Sequence, residues 1–109
     1  MRRGEIWTVA GGPGHTGKPR PVIILQSDRF DATLSIAICP LTGSQVDAEP
    51  ARFEIVPSKS NGLQVVSHAM VDKISTVPKS KVGRRIGQLE PRYVVLLNQH
   101  VAVFLGLAE

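Results

Sequence analysis

The pattern of apolar and polar residues predicts a series of short strands in the first half of the chain. Glu5 to Val9 alternates polar and apolar residues, which indicates a strand with two different faces. Val22 to Leu25 is a continuous apolar run rich in β-branched residues, typical of a central strand. Leu34 to Leu41 predicts the next strand, and Pro40 marks its end as an edge or a bulge because proline has no N–H to donate.

Further strands are predicted in the second half. Arg52 to Val56 alternates again and indicates a half-exposed strand. The dipeptide Asn61-Gly62 then predicts a tight turn between two strands. After it we expect a short extended segment over Leu63 to Val66, a strand from His68 to Val77 that Pro78 ends, and a last short strand from Arg84 to Leu89.

One helix is predicted, at the C-terminal end. It begins at Glu90-Pro91, because proline is favoured at the first helical position and an acidic residue suits a helix N-terminus. Its apolar face is predicted to comprise Val94, Leu97, Val101, Phe104 and Leu105. Many short strands and one helix, without strand–helix alternation, predict a mainly β fold: a small antiparallel SH3-like barrel with a packed C-terminal helix, formed by residues 1–109 as a single domain.

The composition favours an anionic partner and a reducing compartment. The 109 residues carry a formal net charge of +4, which favours nucleic acid or an acidic peptide as the partner. Cys39, the single cysteine, lies in an apolar run and is expected to be a reduced core residue, as in the cytoplasm. We expect no signal peptide and no membrane span, since no apolar stretch has the required length. No His, Cys and Asp spacing indicates a metal site, and no cofactor is expected.

Two polar residues at strand ends are the first candidates for chemistry. Arg20 precedes Pro21, which favours extended geometry and places Arg20 at the entrance of a strand. Thr42 directly follows the next strand. A guanidinium offers a planar fork of donors that stays charged at any working pH, and a hydroxyl beside it completes a simple phosphate site. An Arg and a Thr in such positions are also common on ordinary protein surfaces, so the pattern alone leaves both interpretations open.

Five sequence blocks occur in a characteristic order. They are Arg3-Gly4-Glu5-Ile6-Trp7, Gly17-Lys18-Pro19-Arg20-Pro21-Val22-Ile23-Ile24, Cys39-Pro40-Leu41-Thr42, Met70-Val71-Asp72-Lys73-Ile74-Ser75-Thr76-Val77 and Ile86-Gly87-Gln88-Leu89. In this order and spacing they resemble the MazF/PemK family of toxin endoribonucleases, over nearly the whole chain.

The resemblance implies a fold, an activity and partners. It implies a PemK-like barrel that forms a homodimer, and an endoribonuclease that cuts single-stranded RNA at short motifs without a metal ion. It also implies a cognate antitoxin whose tail occupies the RNA groove. The family's proposed catalytic pair falls on Arg20 and Thr42. Attack of the 2'-OH on the neighbouring phosphorus would give a 2',3'-cyclic phosphate and a 5'-OH, with Arg20 stabilising the added negative charge.

Other residues are weaker candidates. His15 stands where some relatives carry a carboxylate, and imidazole titrates near neutral pH, so His15 is a candidate acid or base. His68 opens a predicted strand and is interpreted as structural rather than catalytic. The basic and polar residues expected to contact RNA are Lys18, Ser27, Lys73, Lys79, Arg84 and Arg85, although a solvated basic face would have the same composition.

Two alternative functions stay open. A CcdB-like toxin that binds gyrase uses the same kind of barrel without a catalytic pair, but the chain ends Gly106-Leu107-Ala108-Glu109 without a Trp-bearing tail. A catalytically degenerate binding module is the other alternative, which the departure at His15 leaves open. Apolar residues outside the predicted helix face, at Val95, Leu96, Ala102 and Val103, support a homodimer.

Overall fold

The computed structural model describes residues 1–11, 18–43 and 51–109, which form an antiparallel sheet with one helix behind it. The strands in these residues are β1 (Glu5–Val9), β2 (Arg20–Ile24), β3 (Ser35–Thr42), β4 (Arg52–Ile55), β5 (Ser67–Met70), β6 (Ser75–Pro78) and β7 (Val82–Gln88), and the helix is α1 (Pro91–Phe104). Single 3₁₀ turns lie at Asp28–Phe30, Val71–Lys73 and Lys79–Lys81. The predicted mainly β fold with a C-terminal helix is confirmed.

The strand order makes β3 the centre of the sheet. Hydrogen-bonded neighbours run β4-β5-β3-β2-β1-β7, and β6 pairs separately with β3. All pairings are antiparallel. Among the described residues β7 and β4 end the order without pairing with each other, so the sheet is not closed into the barrel that the sequence predicted.

One edge of β3 changes its partner part-way along. Residues 35–38 pair with β6, whereas Leu41 and Thr42 pair with β5. Pro40 lies in the gap between these two ladders while it stays opposite Val22 of β2 on the other edge. Of the two predicted possibilities for this end of β3, an edge or a bulge, the edge is therefore wrong, and the bulge stays a prediction. A proline is tolerated in a central strand here because its position has no β5 or β6 partner to receive an N–H.

Two apolar clusters lie on the two faces of the sheet. The helix-side core packs α1 against the sheet and includes Ile6, Ile23, Leu41, Ile55 and Leu97. The barrel-side core lies on the opposite face, where β1, β2 and β3 curve together, and consists of Val9, Val22, Ile24, Ile36 and Ile38. Successive residues of a strand point to opposite faces, so the two clusters alternate along β1, β2 and β3.

The helix begins as predicted, but its buried face differs. Pro91 occupies the first turn after an extended Glu90. Tyr93 and Leu97 are the buried residues of α1. The expected core positions Phe104 and Leu105 are about half exposed, at 47% and 56%. The last turn of α1 therefore extends beyond the sheet that the rest of the helix covers.

The predicted strand from His68 to Val77 was also wrong. The chain forms β5, turns through the 3₁₀ segment Val71–Lys73 and continues as β6 along the same edge of β3. No glycine or proline interrupts residues 68–77, so the sequence contains no turn signal at the break. The predicted extended segment at Leu63 to Val66 has no strand pairing, and Gly62 before it adopts a positive φ of 70°.

Candidate active site

Arg20 and Thr42 come together across neighbouring strands. The β2–β3 ladder pairs Val22 with Pro40 and Ile24 with Ile38. Continuing this register by two residues places Arg20 opposite Thr42. Residues opposite each other in an antiparallel pair point to the same face with Cα atoms roughly 4.5–5.5 Å apart. The two residues that the sequence singled out therefore lie side by side, with Arg20 exposed and Thr42 half-buried.

The same row of residues continues into the next two strands. Thr42 is opposite His68 in the β3–β5 ladder, and His68 is opposite Glu54 in the β4–β5 ladder. The four side chains consequently lie on one face of the sheet, one per strand. His68 Nε2 is 3.8 Å from Glu54 Oε2. We name the set Arg20, Thr42, His68 and Glu54 the polar row.

Sequence reasoning missed the second half of the polar row. His68 was interpreted as structural, and Glu54 was not considered. The turn signal at Asn61-Gly62 did not indicate this pairing. A two-residue hairpin there would pair Glu54 with Ala69, whereas the observed register pairs Glu54 with His68.

Two predicted residues lie near the Arg20 end of the row in sequence. Lys18 is exposed two residues before Arg20. His15, the candidate acid or base, falls outside the described residues. The residues that follow Thr42, numbers 44–50, fall outside them as well.

The described residues offer no metal centre beside this row. Within residues 1–11, 18–43 and 51–109, no three His, Cys, Asp or Glu side chains are grouped so that they could hold a metal ion. Cys39 is fully buried in the helix-side core, and burial followed by the nearby Asp72 carboxylate raises the pKa of its thiol to about 12. In the same part of the chain, no helix has both the length and the apolar character that crossing a bilayer requires.

Comparison with known proteins identifies the family. The sequence profile of the PemK-like, MazF-like toxins of type II toxin–antitoxin systems matches residues 2–105. The chain belongs to this family. It is 47% identical to the probable endoribonuclease MazF of Mycolicibacterium smegmatis, over 99% of both chains, and 27% identical to endoribonuclease MazF9 of Mycobacterium tuberculosis, over 98% of both.

A solved structure agrees with the fold. An endoribonuclease from a mycobacterial species, solved in complex with its cognate antitoxin, superposes with a TM-score of 0.82 at 23% identity, covering 100% of this chain and 98% of that one. The resemblance drawn from the sequence blocks is confirmed, and with it the predicted class of a toxin-type endoribonuclease.

Ser27 and Lys79, two of the predicted RNA contacts, lie far from the polar row. Ser27 follows the opposite end of β2 from Arg20, and Lys79 N donates to Leu34 O before the start of β3. Ser27 comes seven residues after Arg20, and seven residues of extended chain span roughly 23 Å. Together Ser27 and Lys79 line a separate cavity of about 250 Å³. Their prediction as RNA contacts stays untested, but they do not belong to the same cluster as Arg20.

Arg85 is engaged by a carboxylate of the first strand. Its Nε lies 2.8 Å from Glu5 Oε2, and Glu5 Oε1 also accepts from the Arg2 N–H and the Trp7 indole N–H. Burial alone would raise the pKa of Glu5, but the hydrogen bonds from Arg2, Trp7 and Arg85 together hold it below its ordinary value. The block Arg3-Gly4-Glu5-Ile6-Trp7 therefore has a structural use, which is to join β1 to β7.

The family block around Asp72 likewise has a structural use. Arg52 binds Asp72 with both ends of its fork, at 2.9 and 3.1 Å. These hydrogen bonds hold the pKa of Asp72 below its ordinary value, and the pair fixes the turn between β5 and β6 to β4. Lys73 beside it is exposed, and so is Arg84, whose backbone N–H is held by the Thr8 hydroxyl.

Proposed function

We propose that this chain is the toxin of a toxin–antitoxin pair and that it cuts single-stranded RNA at the Arg20–Thr42 pair. The observation that carries the proposal is the register of the β2–β3 ladder, which pairs Val22 with Pro40. Extended by two residues, this register puts an arginine opposite a threonine on one face. Rigid strands hold both groups, so that the donors are already oriented when RNA binds. Membership of the PemK-like, MazF-like family supports the toxin function. The 47% identical relative is a probable endoribonuclease, which supports RNA cleavage as the reaction.

The reaction proposed is an internal transfer of the RNA phosphoryl group. The 2'-oxygen attacks the neighbouring phosphorus, the bond to the 5'-oxygen breaks, and the products are a 2',3'-cyclic phosphate and a 5'-OH. The Arg20 guanidinium stabilises the charge that builds up on the non-bridging oxygens. The Thr42 hydroxyl donates a hydrogen bond to the same phosphoryl group. A guanidinium keeps its proton at working pH, so Arg20 is not the base.

The proposal extends to partners and location. An antitoxin is expected as the physiological inhibitor, and we infer that residues 1–109 act as one domain in the cytoplasm, where the RNA substrate is found. A homodimer is supported by apolar side chains that α1 leaves in solvent, namely Val95, Val103, Phe104 and Leu105, each 47–56% exposed. Sedimentation at micromolar concentration that gave only the monomer mass would contradict the dimer.

The test is cleavage of a long single-stranded RNA in EDTA. The wild-type protein is compared with Arg20→Ala, Thr42→Ala and the control Arg29→Ala, which removes an exposed arginine from the opposite end of β2. We expect discrete cuts with 5'-OH ends from the wild type and the control, and a loss of at least 100-fold in rate in the other two variants. Cleavage by Arg20→Ala at the wild-type rate would remove the pair from the mechanism. No cleavage by the wild type across a varied transcript would favour a binding function instead.

A further inference from the structure

The polar row extends beyond Thr42 to an imidazole and a carboxylate. His68 is the direct neighbour of Thr42 across the β3–β5 ladder, and Glu54 is the neighbour of His68 across the β4–β5 ladder. Cβ atoms of directly opposed residues lie about 4.5–5.5 Å apart. An RNA phosphate held between Arg20 and Thr42 would therefore have the His68 ring within reach of its flanking sugar.

The hydrogen bonding of His68 is incomplete. Its Nδ1 is buried and has no hydrogen-bond partner among the described residues. Its Nε2, at 3.8 Å from Glu54 Oε2, is too far for a hydrogen bond but close enough for electrostatic attraction. A buried polar atom without a partner costs stability, so its presence calls for an explanation, of which a catalytic role is one.

His100 shows what a structural histidine looks like in the same chain. Its Nδ1 lies 2.8 Å from the Leu96 carbonyl oxygen, and its ring packs on Phe53 with the ring centres 5.0 Å apart. Among the described residues, His68 Nδ1 has no such acceptor, and the His68 side chain is 23% exposed on the face that carries Arg20 and Thr42.

We propose that His68 is a further catalytic residue, the general base that takes the proton from the RNA 2'-OH. This inference rests on the proposed function. In the step, the 2'-O–H bond breaks and its proton passes to His68 Nε2, the 2'-oxygen forms its bond to phosphorus, and the P–O5' bond breaks with its electron pair. The released 5'-oxygen takes a proton from water.

Glu54 is the positioning residue in this scheme. When Nε2 accepts the proton, the ring becomes an imidazolium, and a carboxylate 3.8 Å away stabilises that charge. Among the described residues, the charged groups on this face include Arg20 of β2, and Arg52 of β4, which is paired with Asp72. Arg85 of β7 is on the same face and is paired with Glu5. The positive charge of Arg20 disfavours the His68 imidazolium, but a bound phosphate would compensate that charge.

The experiment measures single-turnover cleavage of one short RNA that contains a mapped cut site. His68→Gln is compared with the wild type and with His100→Gln as the matched control, and RNA affinity is measured separately for each protein. We expect His68→Gln to lose at least 100-fold in rate, the usual range for a general base, with RNA affinity changed less than threefold. The wild-type rate should rise with pH along an acidic limb that His68→Gln lacks. Glu54→Gln should lower the rate less, about 5–10-fold, and keep the limb.

Three results would overturn the inference. The first is a wild-type rate in His68→Gln. The second is a loss that resides entirely in RNA affinity, which would make His68 a binding residue. The third is recovery on an RNA whose 5'-bridging oxygen is replaced by sulfur: this leaving group needs no proton, so recovery would make His68 the acid and not the base. Failure of the wild type itself to cut would count against the proposed function, which the same experiment detects.

Discussion

Asn61 should be among the most costly polar residues of this chain to remove. It is fully buried, and its side chain makes four hydrogen bonds. The amide oxygen accepts from the backbone N–H groups of Ser58 and Leu63, each at 3.0 Å. The amide nitrogen donates to the Val56 carbonyl oxygen at 3.0 Å and to Glu90 Oε1 at 3.1 Å. One side chain thereby joins the end of β4, the turn after it and the start of α1.

The magnitude follows from these four contacts. A net contribution of 0.5–1.5 kcal/mol for each hydrogen bond gives about 2–6 kcal/mol for the set. Because a cavity at a turn partly admits water, we expect Asn61→Ala to lower the free energy of unfolding by about 3 kcal/mol, which corresponds to roughly 12 °C in Tm for a domain of this size. Asn61→Asp should cost at least as much at neutral pH, since a carboxylate would face the Val56 oxygen and the Glu90 carboxylate without a proton to donate.

The assay is urea unfolding followed by tryptophan fluorescence, with Asn98→Ala as the matched control. Asn98 accepts one exposed hydrogen bond, from Arg3 Nη2 at 2.8 Å, so its loss should cost under about 1 kcal/mol. A loss of less than 1 kcal/mol in Asn61→Ala, with an unchanged m value, would refute the view that Asn61 holds this corner of the fold together.

Three further predictions concern other structural residues. Asp72→Asn should destabilise the protein by about 1–2 kcal/mol at pH 7, since it weakens the pair with Arg52. Because the pKa of Asp72 is lowered in the folded state, this stabilisation is present above the ordinary pKa of 3.8 and is lost as pH falls through the folded pKa. The unfolding free energies of wild type and variant, measured with urea, should therefore converge in acid, whereas the control Asp31→Asn should follow the wild type throughout. Cys39, buried and with a pKa raised to about 12, should resist a disulfide reagent at pH 8 in the native protein and react only in urea; rapid native labelling would contradict its placement. Gly87→Ala should cost about 2–4 kcal/mol by urea unfolding, because a Cβ there would lie 2.4 Å from the Ser60 carbonyl oxygen, and a near-neutral result would mean that this backbone contact relaxes easily.

The parts of the fold that follow local rules could be predicted from the sequence. β1 matches its predicted bounds, and α1 begins where Glu90-Pro91 indicated. Both depend on patterns that involve only neighbouring residues. The turn that separates β5 from β6 could not be predicted in this way, because Asp72 is held there by Arg52, twenty residues away in sequence. A tertiary ion pair thus overrides a local pattern that favours one long strand.

The candidate site likewise contains some residues that local pattern predicts and others that it does not. The positions of Arg20 and Thr42 at the ends of β2 and β3 could be predicted from local pattern, whereas their catalytic role stays a prediction. Asn61-Gly62 was correctly expected to turn the chain, but eleven residues separate β4 from β5, and the buried Asn61 amide organises them instead of a two-residue turn. The pairing of Glu54 with His68 depends on that longer connection, so local pattern alone did not reveal the second half of the polar row.

The position of the polar row follows from the change of partner along β3. If β6 had continued along the whole edge of β3, the residue opposite Thr42 would come from the same strand that flanks Ile36 and Ile38, and His68 would lie elsewhere. Instead, the ladder to β6 stops at Ile38, Pro40 occupies the gap, and β5 takes over at Leu41. The interruption that made Pro40 look like the end of a strand is what allows a second strand pair, β4 and β5, to bring an imidazole and a carboxylate beside Thr42. Arg20 borders the barrel-side core, because Val9 of that core is its partner on β1. Its guanidinium can nevertheless stay charged there, since Arg20 is exposed to solvent.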